Sequence, residues 1–122
     1  MPNPFCHVEL ATTNTKKARA FYAKLFRWKL QDMPNPAAGG AYTMIDVGDG
    51  TGGGIMSQLI PNAGSAWMPY VLVKDIDVST KKAKKLGAKV CKGVTAIEGM
   101  GWLSIIIDPT GAMIGLWEPD NK

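Results

Sequence analysis

The chain repeats itself at a fixed interval. Its last apolar hairpin runs from Leu103 to Trp117, with two runs rich in β-branched residues flanking Asp108-Pro109-Thr110-Gly111. In such a turn proline presets one backbone angle and glycine accepts a left-handed one. A weaker version of the hairpin runs from Tyr42 through Gly48-Asp49-Gly50 to Gly54-Ile55-Met56. Gly54 precedes Gly115 by 115 − 54 = 61 residues, Gly50 precedes Gly111 by the same interval, and 61 is half of the 122 residues. At this offset His7 falls on Met68, Leu10 on Val71, Leu25 on Leu86, Ile45 on Ile106 and Ile55 on Leu116. Such a repeat is one supersecondary unit used twice, neither copy burying enough surface to stand alone.

Length bounds the answer to one ordinary domain, residues 1–122, split into modules 1–60 and 61–122. No apolar run reaches transmembrane length, and Met1-Pro2-Asn3-Pro4 carries no basic segment ahead of a hydrophobic stretch. A cytoplasmic location with no membrane partner is the expectation. Cys6 and Cys91 sit in no metal-type spacing and read as reduced thiols. The net charge of +4 owes much to Lys81, Lys82, Lys84 and Lys85 in one helix. No aromatic residue interleaves them, so they read as a solvated face and not as a nucleic-acid site.

In chain order, Phe5 to Leu10 reads as a strand with Cys6, Val8 and Leu10 on one face and Phe5, His7 and Glu9 on the other. Thr13 or Asn14 caps a helix whose stripe of Ala18, Phe21, Tyr22, Leu25 and Phe26 packs on a sheet. Trp28 to Gln31 is a short strand, and Pro34 and Pro36 are expected to prevent regular pairing over 33–40. After the first hairpin, Ser57 to Ala66 is the linker. The second half restarts at Trp67 with a strand from Met68 to Val73. Asp77 or Ser79 then leads into a helix through Leu86 that stops at Gly87. Lys89 to Lys92 begins another strand, and 93–101 is read as a loop before the final hairpin. Each half is strand, helix, strand, strand, strand. The fold class is therefore α+β, two βαβββ modules forming one curved, mainly antiparallel sheet with helices outside. A concave inner face suits a small molecule.

His7-Val8-Glu9-Leu10, Asn14, Ala18-x-x-Phe21-Tyr22, Leu25-Phe26-x-Trp28, Val73-x-Asp75-Ile76-Asp77, Asp108-Pro109-x-Gly111 and Gly115-Leu116-Trp117 occur in that order. With these residues the chain resembles the vicinal oxygen chelate superfamily, the glyoxalase, bleomycin-resistance and extradiol dioxygenase group. The resemblance implies up to four inward-facing metal ligands, at positions that map to His7, Gly54, Met68 and Gly115. Glycine has no side chain and a thioether is a poor ligand for a hard or borderline cation. Only His7 qualifies, so the expectation is no cofactor and no catalytic divalent metal. Glu118 lies three residues beyond Gly115 and by alternation faces the other way. The resemblance also implies a homodimer.

Two functions from different classes follow. One is a metal-free binding protein for an unknown small molecule. The other is a glyoxalase-type lyase or isomerase, or a dioxygenase, using His7 and Glu9. The candidate ligand-binding residues are His7, Glu9, Met56, Met68, Tyr70, Trp102, Ser104 and Trp117, with Trp67 beside them. Each has a plainer reading. His7 and Glu9 can simply pair with each other, and the aromatic and methionine side chains can fill the core or a dimer seam. Pairing Gly115 with Ser104 and Trp117 with Trp102 would set both tryptophans on the inner face. Gly54 and Gly115 either admit neighbouring backbone or leave cavity volume. Gly52-Gly53-Gly54 leads into a strand without a following Lys-Ser/Thr and is no phosphate loop. Cys6 and His7 point apart, which excludes a thiol nucleophile activated by this imidazole.

Overall fold

The computed structural model describes residues 2–35, 40–58 and 60–120. These residues form β1 (Phe5–Thr12), α1 (Thr15–Leu25), β2 (Lys29–Asn35), β3 (Gly40–Asp46), β4 (Gly53–Ser57), β5 (Ala66–Leu72), α2 (Ile76–Lys85), β6 (Lys89–Ile97), β7 (Gly101–Ile107) and β8 (Met113–Pro119). The class is α+β and each half reads βαβββ. Two compact units divide the chain: a first module of His7–Met68, and a second of Pro69–Lys122 together with Met1–Cys6. The first residues join the second module through hydrogen bonds to β5. The Leu72 amide donates to the Pro4 carbonyl at 2.9 Å, and the Asn3 side-chain amide donates to the Leu72 carbonyl at 2.9 Å.

In the first module the strand order is β2-β3-β4-β1, with β1 and β4 parallel and the other neighbours antiparallel. The second module repeats it as β6-β7-β8-β5, with β5 and β8 parallel. The 61-residue offset holds at the level of strand register. Glu9 lies opposite Gly54 and Leu10 opposite Ile55, as Tyr70 lies opposite Gly115 and Val71 opposite Leu116. Thr43 faces Ile55 and Met44 faces Gly54, as Ser104 faces Leu116 and Ile105 faces Gly115. The helix caps obey it too: the Asn14 side chain accepts from the Lys17 amide at 3.0 Å and that of Asp75 from the Val78 amide at 3.1 Å. The outer strand breaks it. Leu30 pairs with Ile45 but Val90 with Ile106, an offset of 90 − 30 = 60, and the register of β6 slips again between Val90 and Lys92 and between Lys92 and Thr95.

Each helix covers one face of its sheet. Under α1, Leu10, Ile45 and Ile55 are buried against Ala18, Tyr22, Trp28, Leu30 and Val47. Under α2, Val73, Ile76 and Leu116 are buried against Trp102. A fully buried aliphatic side chain contributes roughly 1.5–3 kcal/mol relative to exposure.

Several sequence expectations are corrected here. The cap of α2 is Asp75, two residues before Asp77, because Ile76 is already needed in the core. β6 continues to Ile97 where a loop was expected, its bulges absorbing Gly93. β2 continues through Pro34 to Asn35, paired with β3. It ends the strand order of its module, where a missing donor costs no ladder bond. Of the loop read as 33–40, positions 36–39 lie outside the described residues. The α1 stripe is wider than the surface it covers: Phe21, Leu25 and Phe26 stay exposed, and Ala18 and Tyr22 reach the core.

Candidate functional site

Alternation along β1, β3 and β4 sends His7, Glu9, Tyr42, Met44 and Met56 to the face of the first module turned away from α1. His7 Nε2 lies 3.0 Å from Glu9 Oε1, and the Tyr42 hydroxyl lies 3.0 Å from Nε2 and 3.3 Å from Oε1. One proton arrangement satisfies all three contacts: Nε2–H is shared between Oε1 and the phenol oxygen, and the phenol donates to Oε1. The Glu9 side chain is 8% exposed and that of His7 26%, so the imidazole forms the accessible lip of a buried carboxylate. Glu9 Oε2 is buried with no hydrogen-bond partner. An orphaned acceptor of this kind costs about 1–3 kcal/mol and calls for an explanation.

Glycine 54 shapes the site. A Cβ there would run into the Tyr42 hydroxyl and lie 2.8 Å from Glu9 Oε2. A Cβ at Gly115 would run into the Tyr70 ring. Both absent side chains have therefore been replaced by a tyrosine from a neighbouring strand, and not by neighbouring backbone or empty volume. Tyr42 and Met56 pack together as a buried cluster with Met44 against it. Sequence reasoning missed Tyr42, which entered only as the start of a hairpin. The available signal was the face it shares with Met44, the residue opposite Gly54.

The second module has another character. Tyr70 is buried on β5, as is Met68, the last residue of the first module, and Leu72 lies opposite Trp117. Trp102 and Ser104 are not on this face. The final loop holds five residues, Asp108 to Ala112, and Ile107 pairs with Met113, so Leu103 opposes Trp117 and Trp102 opposes Glu118. A slip of one residue moves every side chain to the other face. Trp102 packs in the α2 core, and Ser104 Oγ sits 2.9 Å from Thr80 Oγ1, fully buried. The loop length follows from Asp108, whose carboxylate accepts from the Thr110 amide and hydroxyl and the Ala112 amide. These bonds hold its carboxyl below the usual carboxylate range. Glu118 faces the helix, as alternation requires, and its Oε1 accepts from the Ile76 amide at 2.9 Å.

Trp67 also leaves the expected pocket. Its indole N–H donates to the Tyr22 hydroxyl at 3.2 Å, and with Trp28 it borders an apolar depression of about 270 Å³ on the α1 side, floored by Val8 and Ile45. Cys6 Sγ donates to the Tyr70 carbonyl at 3.6 Å, and burial pushes its thiol up.

No family model matches the chain. A protein of Mycobacterium tuberculosis named as a glyoxylase, CFP32, is 35% identical over 118 residues, covering 93% of this chain and 45% of that one. A hypothetical protein of Bacillus halodurans superposes with a TM-score of 0.74 at 18% identity, covering 100% of this chain and 98% of the other. Methylmalonyl-CoA epimerase of Mycobacterium tuberculosis superposes with a TM-score of 0.69 at 18% identity over 94% and 87% of the two chains. This chain has the vicinal oxygen chelate fold. It spans about half the length of the curated relatives it matches.

The metal that this superfamily implies does not fit the residues present. Of the four mapped positions, Gly54, Met68 and Gly115 offer no suitable donor, and tyrosines fill the room beside both glycines. Among the described residues no three His, Cys, Asp or Glu side chains gather at one point.

Proposed function

We propose that this protein is a glyoxalase/bleomycin-resistance-like binder of a small organic molecule, with its site at His7, Glu9 and Tyr42 and without the superfamily's metal chemistry. The observation that carries this reading is the replacement at Gly54: the strand position that would supply a ligand is empty, and the phenol of Tyr42 stands in its place, bonded to the one remaining histidine. The surrounding methionines are flexible and polarisable and suit an apolar ligand body. Tyr70 and Trp117 of the second module and Met68 at the end of the first are proposed as ligand contacts within their own modules. The location is cytoplasmic and the assembly a homodimer in this reading. Elemental analysis of protein purified without chelators, followed by calorimetric titration with Ni²⁺ and Zn²⁺, tests it. Substoichiometric metal and no saturable heat are expected, and one tightly held ion per chain overturns it.

A second reading is favoured by the 3.0 Å contact between His7 and Glu9. An imidazole and a carboxylate in contact can move a proton without a metal, as a lyase or isomerase of the glyoxalase type requires. Turnover of a 2-oxoaldehyde–thiol adduct that Glu9→Gln abolishes would establish it.

A further inference from the structure

We infer that the ligand of this site presents a cationic hydrogen-bond donor, an amidinium or ammonium group on an apolar body, to Glu9 Oε2. The inference rests on the small-molecule reading above and names its ligand class. Three observations converge. Glu9 is 6% exposed, and its Oε1 already receives both nearby donors while Oε2 receives none. Oε2 lies beside Gly54, 2.8 Å from where a Cβ would stand, and the room left by that missing side chain holds the Tyr42 hydroxyl. The imidazole and the phenol beside it give their hydrogen bonds to Oε1, and the thioethers of Met44 and Met56, packed with Tyr42, offer Oε2 no donor. A buried carboxylate oxygen without a donor repels anionic ligands and rewards a donor that arrives with charge. Tyr42 is the gate. Its hydroxyl occupies the space beside Gly54, and a ligand reaches Oε2 when the phenol turns aside, the incoming N–H groups replacing the donor that leaves Oε1.

The test uses the single histidine as reporter. Benzamidine, its isosteric anion benzoate and neutral benzamide are titrated at fixed ionic strength while the His7 ring resonances are followed by NMR. Benzamidine is expected to give a saturable shift in the millimolar range and benzoate none. Glu9→Gln, with its circular dichroism spectrum checked, is expected to weaken benzamidine about tenfold or more, the loss of one charge-assisted hydrogen bond. Tyr42→Phe removes the hydroxyl in the way and is expected to tighten binding. The inference is overturned if benzoate moves the His7 ring as strongly as benzamidine, if benzamidine gives no saturable shift, or if Glu9→Gln binds it undiminished. Benzoate binding alone would leave the small-molecule reading standing, whereas a stoichiometric metal ion removes that reading whichever probe binds.

Discussion

Positions 61 residues apart in the two modules hold the same places in the strand ladder and carry different chemistry. On the helix side, Arg19 Nε and Thr43 Oγ1 of the first module each lie 2.8 Å from Asp32 Oδ1 at the surface. Their counterparts, Thr80 and Ser104, meet directly and are buried. On the other side, His7, Glu9 and Tyr42 correspond to Met68, Tyr70 and Leu103. Backbone pairing is indifferent to these exchanges. What the two modules share is what the fold needs: parallel register, capped helices and an aliphatic layer under each helix. The carboxylate in the first module meets no such need, because an uncharged residue, Tyr70, holds the same position in the second. That contrast is why we assign Glu9 to ligand rather than to structure.

The comparison can be strained in order of effect. Ile55→Ala and Leu116→Ala truncate equivalent core positions, and each is expected to cost about 2–5 kcal/mol in urea unfolding. Ile55, 1% exposed against 8%, should lie at the upper end. A cost under about 1 kcal/mol at either would mean that the two cores are not equivalent. Glu118→Ala leaves the Ile76 amide without its acceptor and is expected to cost about 1–3 kcal/mol. Ser57→Ala, the equivalent exposed position, should fall within about 0.5 kcal/mol of the parent. Thr80→Val keeps shape but abandons Ser104 in the interior, and about 1–2 kcal/mol is expected. Arg19→Ala should cost less than about 1 kcal/mol, since solvent screens the pair it breaks.

The smallest effect is one of acid. Arg19 and then Thr43 hold the Asp32 carboxyl below the usual carboxylate range. The stability this supplies is fully present above the unfolded value of about 3.9 and is lost as pH falls through the lower folded value. With Asp32 largely exposed, it stays within about 1 kcal/mol. Unfolding midpoints of Asp32→Asn and its parent should therefore differ at pH 6 and converge toward pH 3.

Much of this architecture was legible because repetition reports on fold directly. The sequence of elements in each module and the turn of Glu118 away from the His7 face followed from offset and alternation, and the cap of α1 is Asn14, one of the two residues the sequence offered. Where reading failed, the cause was local and the offset held the remedy. Asp75 lies 61 residues after Asn14, which decides among the possible caps of α2. The last hairpin was misread by one residue because Asp108 binds the Ala112 amide and lengthens the loop, a detail no hydrophobic pattern carries. That single slip misplaced Trp102 and Ser104. The candidate site was legible on β1, where His7 and Glu9 are two apart, and illegible at Tyr42. Its role depends on the emptiness of Gly54 across the ladder.

The irregularity of β6 has a bearing on how the protein behaves when crowded. This strand hydrogen-bonds along one side, to β7, and its other row of amides and carbonyls ends the strand order. Two breaks in its course and the ammonium groups of Lys89 and Lys92 deny any passing chain a straight ribbon to extend. Val90 and Val94 stand partly exposed there, on an edge whose bulges make it a poor template for a further strand.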